Sequence, residues 1–195
     1  KKATPDAIAS YLRSLSGVTA ATVIENQTKY VDIENRPPKS YETILSGGTN
    51  SDIAQALWDS KPAGIELYGS ISETATDDGG NIQQVKFSRP EDVYIHVQVT
   101  YTLYDEESFP ASGEDAMKSA ILETASTLTV AEDVIPKRFY GNIYSKISGI
   151  EDLVVGMVKT PNPGDTPVGY SETPIPISFK ELANFSLDRI TIVSP

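Results

Sequence analysis

The sequence predicts an α+β fold made of two small domains, each with a mixed or antiparallel sheet and helices packed on one face. Three observations support this prediction. Residues 93–104 alternate between apolar and polar side chains, as a half-buried strand requires. Four other segments repeat apolar residues at steps of three and four, which indicates amphipathic helices. The Arg89-Pro90 step separates two sets of such elements, so we assign the domains to residues 1–90 and 91–195.

The first domain should begin with a helix at Pro5–Leu15, because proline suits a first helical turn. A second helix, capped by Thr49 or Ser51, should run to Asp59. Strands are expected at Val18–Ile24, Tyr41–Leu45, Ile65–Ile71 and Ile82–Phe87. Between them, Glu25–Lys39 with its Pro37-Pro38 pair is expected to be an extended loop, and Asp77-Asp78-Gly79-Gly80 a hairpin turn.

The second domain opens with the most regular strand of the chain. Its inward face carries Val93, Ile95, Val97, Val99, Tyr101 and Leu103. Helices are expected at Gly113–Leu128 and Pro136–Ile147, since each has an apolar stripe at helical spacing. Strands near Leu153–Lys159 and Ile190–Val193 complete the predicted domain.

Composition excludes several classes of function. The 195 residues include 16 Lys and Arg against 27 Asp and Glu, a net charge of -11, which argues against nucleic acid as a partner. No apolar run approaches the roughly 20 residues of a membrane-spanning helix, so no membrane insertion is expected. Cysteine is absent, which rules out disulfides, thiolate nucleophiles and zinc sites built on sulfur.

The one histidine, His96, lies in the middle of the predicted strand 93–104. A catalytic or metal-binding histidine needs a positioned partner, and no second histidine or cysteine is available to complete a ligand set. We therefore interpret His96 as a structural residue on a half-exposed strand face, and we expect no metal and no cofactor.

Two glycine-containing segments superficially suggest ligand sites. The run from Asp77 to Asn81 is rich in oxygen ligands, but it lacks the alternate acidic positions and closing glutamate of a calcium loop, so a polar hairpin tip is the better interpretation. Gly47-Gly48-Thr49 precedes a helix and offers backbone N–H groups to an anion, yet no Gly-Lys-Ser/Thr follows to complete a phosphate loop. We interpret it as a helix entry.

Catalytic arrangements are also incomplete. No serine lies in a Gly-x-Ser-x-Gly turn, and a single histidine would have to act as general base. The carboxylate pairs Glu106-Glu107 and Glu132-Asp133 fall in polar connectors, where solvated charge is the default. The sequence therefore predicts that the chain is not an enzyme, although paired carboxylates from distant segments meeting in a cleft would allow a hydrolase.

The order and spacing of fragments between Gly17 and Pro90 resemble the middle region of the baseplate J-like proteins of contractile-tailed phages and related injection machines. The fragments are Gly17-Val18, Val23-Ile24-Glu25-Asn26, Pro37-Pro38-Lys39-Ser40-Tyr41-Glu42, Gly47-Gly48, Ile53-Ala54-Gln55-Ala56-Leu57-Trp58, Lys61-Pro62-Ala63-Gly64-Ile65, Tyr68-Gly69 and Val85-Lys86-Phe87-Ser88-Arg89-Pro90. The second half resembles the C-terminal region of that family in its long strand, in Phe139-Tyr140-Gly141-Asn142-Ile143-Tyr144 and in Asp188-Arg189-Ile190-Thr191-Ile192. The resemblance covers nearly the whole chain.

The resemblance implies a structural wedge subunit of a tail baseplate, located in the virion, made in the bacterial cytoplasm and assembled around the tail hub. Its partners would be other wedge proteins and copies of itself. Because the family's N-terminal portion is missing, we expect the middle and C-terminal domains of a longer polypeptide, and an isolated fragment that is monomeric or weakly associating. No catalytic residue carries over, and the family-like motif residues would specify shape; they are Gly17, Glu25, Asn26, Ser40, Gly47, Gly48, Pro62, Ala63, Gly64, Gly69, Arg89 and Pro90.

Two other functions stay open at this point. The chain contains ten tyrosines, and exposed aromatic rings stack on sugars, so an adhesion or carbohydrate-binding module of a phage tail is the alternative. A tail-associated hydrolase is the third possibility.

Overall fold

The computed structural model describes residues 4–193 and divides the chain into two compact units, Lys1–Glu91 and Asp92–Pro195. The division falls one residue beyond the end of the predicted first domain. Both units combine helices with mixed or antiparallel sheets, so the predicted α+β class is confirmed. Within residues 4–193, no helix is long and apolar enough to cross a membrane.

The first unit contains two helices and five strands. The elements are α1 (Pro5–Arg13), β1 (Val18–Asn26), β2 (Ser40–Gly47), α2 (Asn50–Ser60), β3 (Glu66–Tyr68), β4 (Ile71–Thr76) and β5 (Ile82–Phe87). Strand β2 is central in a three-stranded sheet, antiparallel to β1 and parallel to β3, while β4 and β5 form an antiparallel hairpin. Ser88, directly after β5, joins the hairpin to β2: its N–H donates to Thr43 O at 2.8 Å and its carbonyl accepts from Leu45 N at 3.2 Å.

Both helices of this unit begin at a threonine cap. The Thr4 hydroxyl accepts from Ala7 N at 3.3 Å, and the Thr49 hydroxyl accepts from Asp52 N at 3.3 Å. The apolar stripes of the two helices then pack with β2 and the hairpin into one core. Its buried members are Ile8, Leu12, Ala21, Tyr41, Leu45, Ile53, Ala54, Ala56, Leu57, Leu67, Ala75, Val85 and Phe87.

One predicted strand of the first unit was wrong. Instead of a single strand over Ile65–Ile71, the chain forms β3, breaks at Gly69-Ser70, and starts β4 at Ile71. At Gly69 a Cβ atom would lie 2.2 Å from the carbonyl carbon of Phe87, so the backbones approach too closely there for any side chain. The break redirects the chain from the sheet into the hairpin.

The second unit is built on β6 (Glu91–Leu103). It continues with α3 (Gly113–Ala125), α4 (Lys137–Lys146), β7 (Ile150–Thr160), β8 (Glu181–Asn184) and β9 (Ile190–Val193). Strand β7 pairs antiparallel along one edge of β6, and β8 and β9 lie on its other edge, β9 in parallel. The core is formed by Val93, Ile95, Val97, Val99, Tyr101, Met117, Ala120, Ile121, Val134, Phe139, Ile143, Ile147, Ile150, Leu153, Val155, Met157, Ile175, Ile177, Ala183 and Ile190.

The alternation predicted for residues 93–104 is confirmed from Val93 to Tyr101, where every inward residue is buried, whereas Leu103 is only half-buried. Helix α3 is shorter than predicted and ends at Ala125. Strand β8 was not predicted: only Ala183 of its four residues is buried, so it leaves no periodic signal in the sequence.

Candidate functional site

Three of the family-like motif glycines meet where β1, β2 and α2 begin or end. The N–H of Gly48 donates to the carbonyl of Gly17 at 2.8 Å. All of Gly17, Gly47 and Gly48 have positive φ, and a Cβ atom on Gly47 would lie 2.0 Å from Gly17 O. Only glycine fits this approach.

The guanidinium of Arg89 ties the same junction together. Its Nη1 donates to the carbonyls of Leu45, at 3.1 Å, and Gly47. Its Nη2 donates to Gly48 O at 3.0 Å and to Asn50 Oδ1 at 2.8 Å. Arg89 thus joins the end of β2 to the start of α2, and we call Gly17, Gly47, Gly48 and Arg89 the glycine–arginine junction.

A second group of motif residues holds the segment that we call the 27–39 loop. The side-chain amide of Asn26 donates to the carbonyls of Tyr30, Arg36 and Pro37 at 2.8, 2.8 and 3.0 Å. The hydroxyl of Ser40 donates to Pro37 O at 2.7 Å. Both ends of the loop are therefore fixed by side chains that lie in strands β1 and β2.

Buried charges hold the interior of the 27–39 loop. Arg36 donates from Nε to Asp32 Oδ2 at 2.7 Å and from Nη1 to Glu42 Oε2 at 3.2 Å. Glu42 is 1% exposed, and its other oxygen accepts from the Ser88 hydroxyl at 2.6 Å. Desolvation opposes ionisation of Asp32, but hydrogen bonds from Arg36 outweigh it and lower the pKa of that carboxyl. The charges are paired, as burial demands.

At the tip of the 27–39 loop, apolar side chains face solvent. Ile33 is 95% exposed, Tyr30 67% and Val31 59%. These exposed apolar side chains lie on a segment held by ion pairs and side-chain hydrogen bonds, which makes them a candidate interaction surface. We call Tyr30, Val31 and Ile33 the apolar tip.

The remaining motif residues are separate from these groups. Pro62, Ala63 and Gly64 form the turn from α2 to β3, where Ile65 N donates to Pro62 O at 3.4 Å and Gly64 has φ of 78°. Pro90 connects β5 to β6. Glu25 lies near the end of β1, and its carboxylate accepts a hydrogen bond from Gln27 Nε2 at 2.9 Å. The motif thus specifies turns and junctions instead of one convergent site.

His96 is buried, not half-exposed as predicted. It is 6% exposed, and its Nε2 lies 3.1 Å from the hydroxyl of Thr160 across the β6–β7 pair. Burial and the nearby Arg189 charge lower the pKa of His96. Arg189 lies 5.1 Å from the ring centre of Tyr94 on the same strand, and the Thr160 hydroxyl donates to Asn162 O at 2.8 Å, contacts that a strand pattern alone does not reveal.

The other candidate residues make structural contacts. The Asp77 carboxylate accepts from the N–H groups of Gly79 and Asn81, both at 2.9 Å, and so closes its own hairpin turn. Glu132 pairs with Arg138 at 2.9 Å, while Asp133 accepts from Ile177 N at 2.9 Å. In the described part of the chain, no three His, Asp or Glu side chains converge as metal ligands.

Sequence reasoning missed the Arg36–Glu42 pair, although one signal was present. Glu42 stands between the apolar residues of a predicted strand, Tyr41 and Leu45, and a carboxylate in a buried strand must find a cation. The partner itself was not visible, because it lies in a loop whose path the sequence does not define.

Comparison with known proteins does not assign the chain to a family. No protein-family model matches the chain, and no curated protein is significantly similar to it in sequence.

Proposed function

We propose that the chain is a structural subunit of a contractile tail or related injection machine, a baseplate wedge component that acts through contacts with neighbouring proteins in the virion. The observation that carries this proposal is the apolar tip. Ile33 is 95% exposed on a loop fixed by buried ion pairs, and exposed apolar residues on a rigid support are typical of surfaces that become covered in an assembly.

The resemblance to baseplate J-like proteins supplies the kind of assembly. The motif residues on which this resemblance depends fix the backbone at the glycine–arginine junction and at the two ends of the 27–39 loop. A wedge protein needs defined surfaces and no chemistry of its own. The engaged carboxylates Glu132 and Asp133 agree with a role without catalysis.

The test is a pair of substitutions in the protein, expressed together with its neighbouring genes. Ile33→Asp should strongly reduce the number of complete baseplates in negatively stained micrographs, while the purified variant keeps its melting temperature. Ile82→Asp is the matched control, because Ile82 is 76% exposed in the same unit but lies on the β4–β5 hairpin. Normal assembly by Ile33→Asp, or equal defects in both variants, would contradict the proposal. So would a gene neighbourhood without sheath and tube proteins.

A carbohydrate-binding module of a tail is the second candidate, and one observation favours it. Tyr11, Trp58, Asp59, Asp77, Asp78 and Gly79 line an open groove of about 740 Å³ between the helices and the hairpin tip. Aromatic rings beside carboxylates suit sugar rings and their hydroxyl groups.

Trp58 is the one tryptophan of the chain, so its fluorescence reports on this groove directly. Titration with bacterial cell-wall and lipopolysaccharide glycans should give a saturable change if the groove binds sugar. Tyr11→Ala should abolish that change, whereas Tyr104→Ala, an exposed tyrosine of the second unit, should not. No response to any glycan would remove this candidate.

A further inference from the structure

The open groove between the helices and the hairpin tip of the first unit is both aromatic and acidic. Tyr11 of α1 and Trp58 of α2 supply two rings, and Asp59, Asp77 and Asp78 supply three carboxylates. Within residues 4–193, no lysine or arginine lines it. Its volume of about 740 Å³ is enough for a long side chain. We call these five residues the aromatic–acidic groove.

Hydrogen bonds join the two walls of the aromatic–acidic groove. The side chain of Gln55 on α2 donates to Thr76 O at 3.0 Å and accepts from Thr76 N at 3.0 Å, which ties the helix to the end of β4. The same Nε2 donates to Asp59 Oδ1 at 3.0 Å. The groove is therefore formed before any ligand enters, so binding need not include the ordering of its walls.

The carboxylates make the groove attractive to a cation. Hydrogen bonds from Asn81 and Gln83 lower the pKa of Asp77, so that carboxyl is ionised at neutral pH. Asp59 and Asp78 are exposed and add two further acidic groups. A cleft lined by acidic groups and by no basic side chain concentrates cations near its surface.

The aromatic rings favour the same class of ligand. The face of a tryptophan ring attracts cations, and the chain already shows this, because Lys61 Nζ lies 5.3 Å from the centre of the Trp58 ring. Arginine suits the groove better than lysine, since its planar guanidinium stacks on a ring while its N–H groups donate to carboxylates. A neutral sugar would use the rings but gain little from three acidic groups.

We infer that the aromatic–acidic groove binds an arginine side chain of a partner polypeptide, with the guanidinium stacked on Trp58 and donating to the aspartates. The groove is the one for which a sugar is the second candidate ligand. The inference names a different ligand, and it does not depend on the chain being a baseplate subunit.

The test uses N-acetylarginine amide as the probe and the indole N–H of Trp58 as the reporter. Because Trp58 is the one tryptophan of the chain, its indole gives a single peak in a nitrogen–proton NMR spectrum. That peak should shift saturably with N-acetylarginine amide, and the apparent affinity should fall as ionic strength rises. N-acetylcitrulline amide, which has nearly the same shape without the charge, should give no saturable shift.

Two variants with the same change of charge separate the groove from the general field of the protein. Asp78→Asn should weaken the apparent affinity by about threefold or more, because it removes a carboxylate beside the ligand. Asp52→Asn is the matched control, since Asp52 is exposed in the first turn of α2 and does not line the groove. Both variants should keep the melting temperature of the parent protein, because both side chains are exposed.

Three results would overturn the inference. Equal binding of the citrulline probe would show that charge is not recognised, and equal weakening in Asp78→Asn and Asp52→Asn would show attraction by the whole protein instead of by the groove. A saturable shift with a cell-wall or lipopolysaccharide glycan, and none with N-acetylarginine amide, would assign the groove to sugar.

Discussion

At the scale of single residues, the position of Glu42 shows how this chain handles buried charge. Its neighbours in β2 are apolar or uncharged, and its carboxylate is balanced by Arg36 and by the Ser88 hydroxyl. A buried charge is tolerable only while such partners are present. The stability of the first unit therefore depends in part on Arg36, which lies in the segment predicted to be an extended loop.

Glu42→Ala should lower the free energy of unfolding by about 1–3 kcal/mol, because it removes the buried acceptor of the Ser88 hydroxyl and of Arg36 Nη1, while Asp32 still pairs with Arg36. Denaturant unfolding followed by circular dichroism measures this loss. Glu123→Ala is the control, since the Glu123–Lys146 pair is exposed and water screens it, so its loss should be far smaller. Equal effects would mean that the 27–39 loop does not depend on the buried pair.

His96 makes the stability of the second unit depend on pH. Its pKa in the folded protein lies below the usual 6.5, so the unfolded chain binds a proton first as pH falls. Acidification through that range therefore favours unfolding. The melting temperature should fall between pH 7.5 and 5.5 more steeply in the parent protein than in His96→Asn, and parallel curves would disprove the link to this residue.

At the scale of elements, the strands with apolar alternation could be predicted and the others could not. The apolar alternation of Val93, Ile95 and Val97 predicts strand β6, and all three side chains are buried in the core of the second unit. Strand β4 has only Ala75 buried, and its position is set by pairing with β5 instead of by its own pattern. Short edge elements such as these follow from their partners, so a single sequence carries little information about them.

The candidate site also has features that could be predicted from the sequence and features that could not. The motif residues were expected to specify shape, and Gly17, Gly47 and Gly64 have positive φ while Gly69 is crowded by Phe87. The bonds of Arg89 were not foreseen, because they join residues far apart in sequence. The bond from Arg36 to Glu42 was not foreseen, because Arg36 lies in a loop whose path the sequence does not define.

The glycine–arginine junction should tolerate substitution less well than the hairpin turn at Gly80. Gly80→Ala, in open space at a hairpin tip, should cost about 1–2 kcal/mol for its left-handed backbone alone. Gly47→Ala carries the same backbone penalty and adds a collision with Gly17 O, so it should cost at least twice as much. Denaturant midpoints in the opposite order would show that the junction can relax.

At the scale of the whole molecule, the negative charge is distributed unevenly. The second unit has seven Lys and Arg against 15 Asp and Glu, so it carries eight of the eleven net negative charges. Identical copies of the chain should therefore repel one another at low ionic strength.

Any self-association should increase with salt, because the Debye length shortens from about 30 Å at 0.01 M to about 10 Å at 0.1 M. Sedimentation velocity at these two ionic strengths measures the effect. The expected result is a monomer or a weak association that strengthens at 0.1 M. A tight dimer at micromolar concentration in low salt would contradict the prediction and would place a major interface within these residues.

The residues that set the shape of the 27–39 loop differ from those that the loop exposes. Its shape depends on Asn26, Asp32, Arg36 and Ser40, and the bonds that Tyr30 makes to Asn26 use its main-chain carbonyl. The side chains of the apolar tip can therefore change without altering the support beneath them. Descendants of this sequence would be free to adapt to a new neighbour by substitutions at positions 30, 31 and 33, while selection for stability acts on a different set of residues.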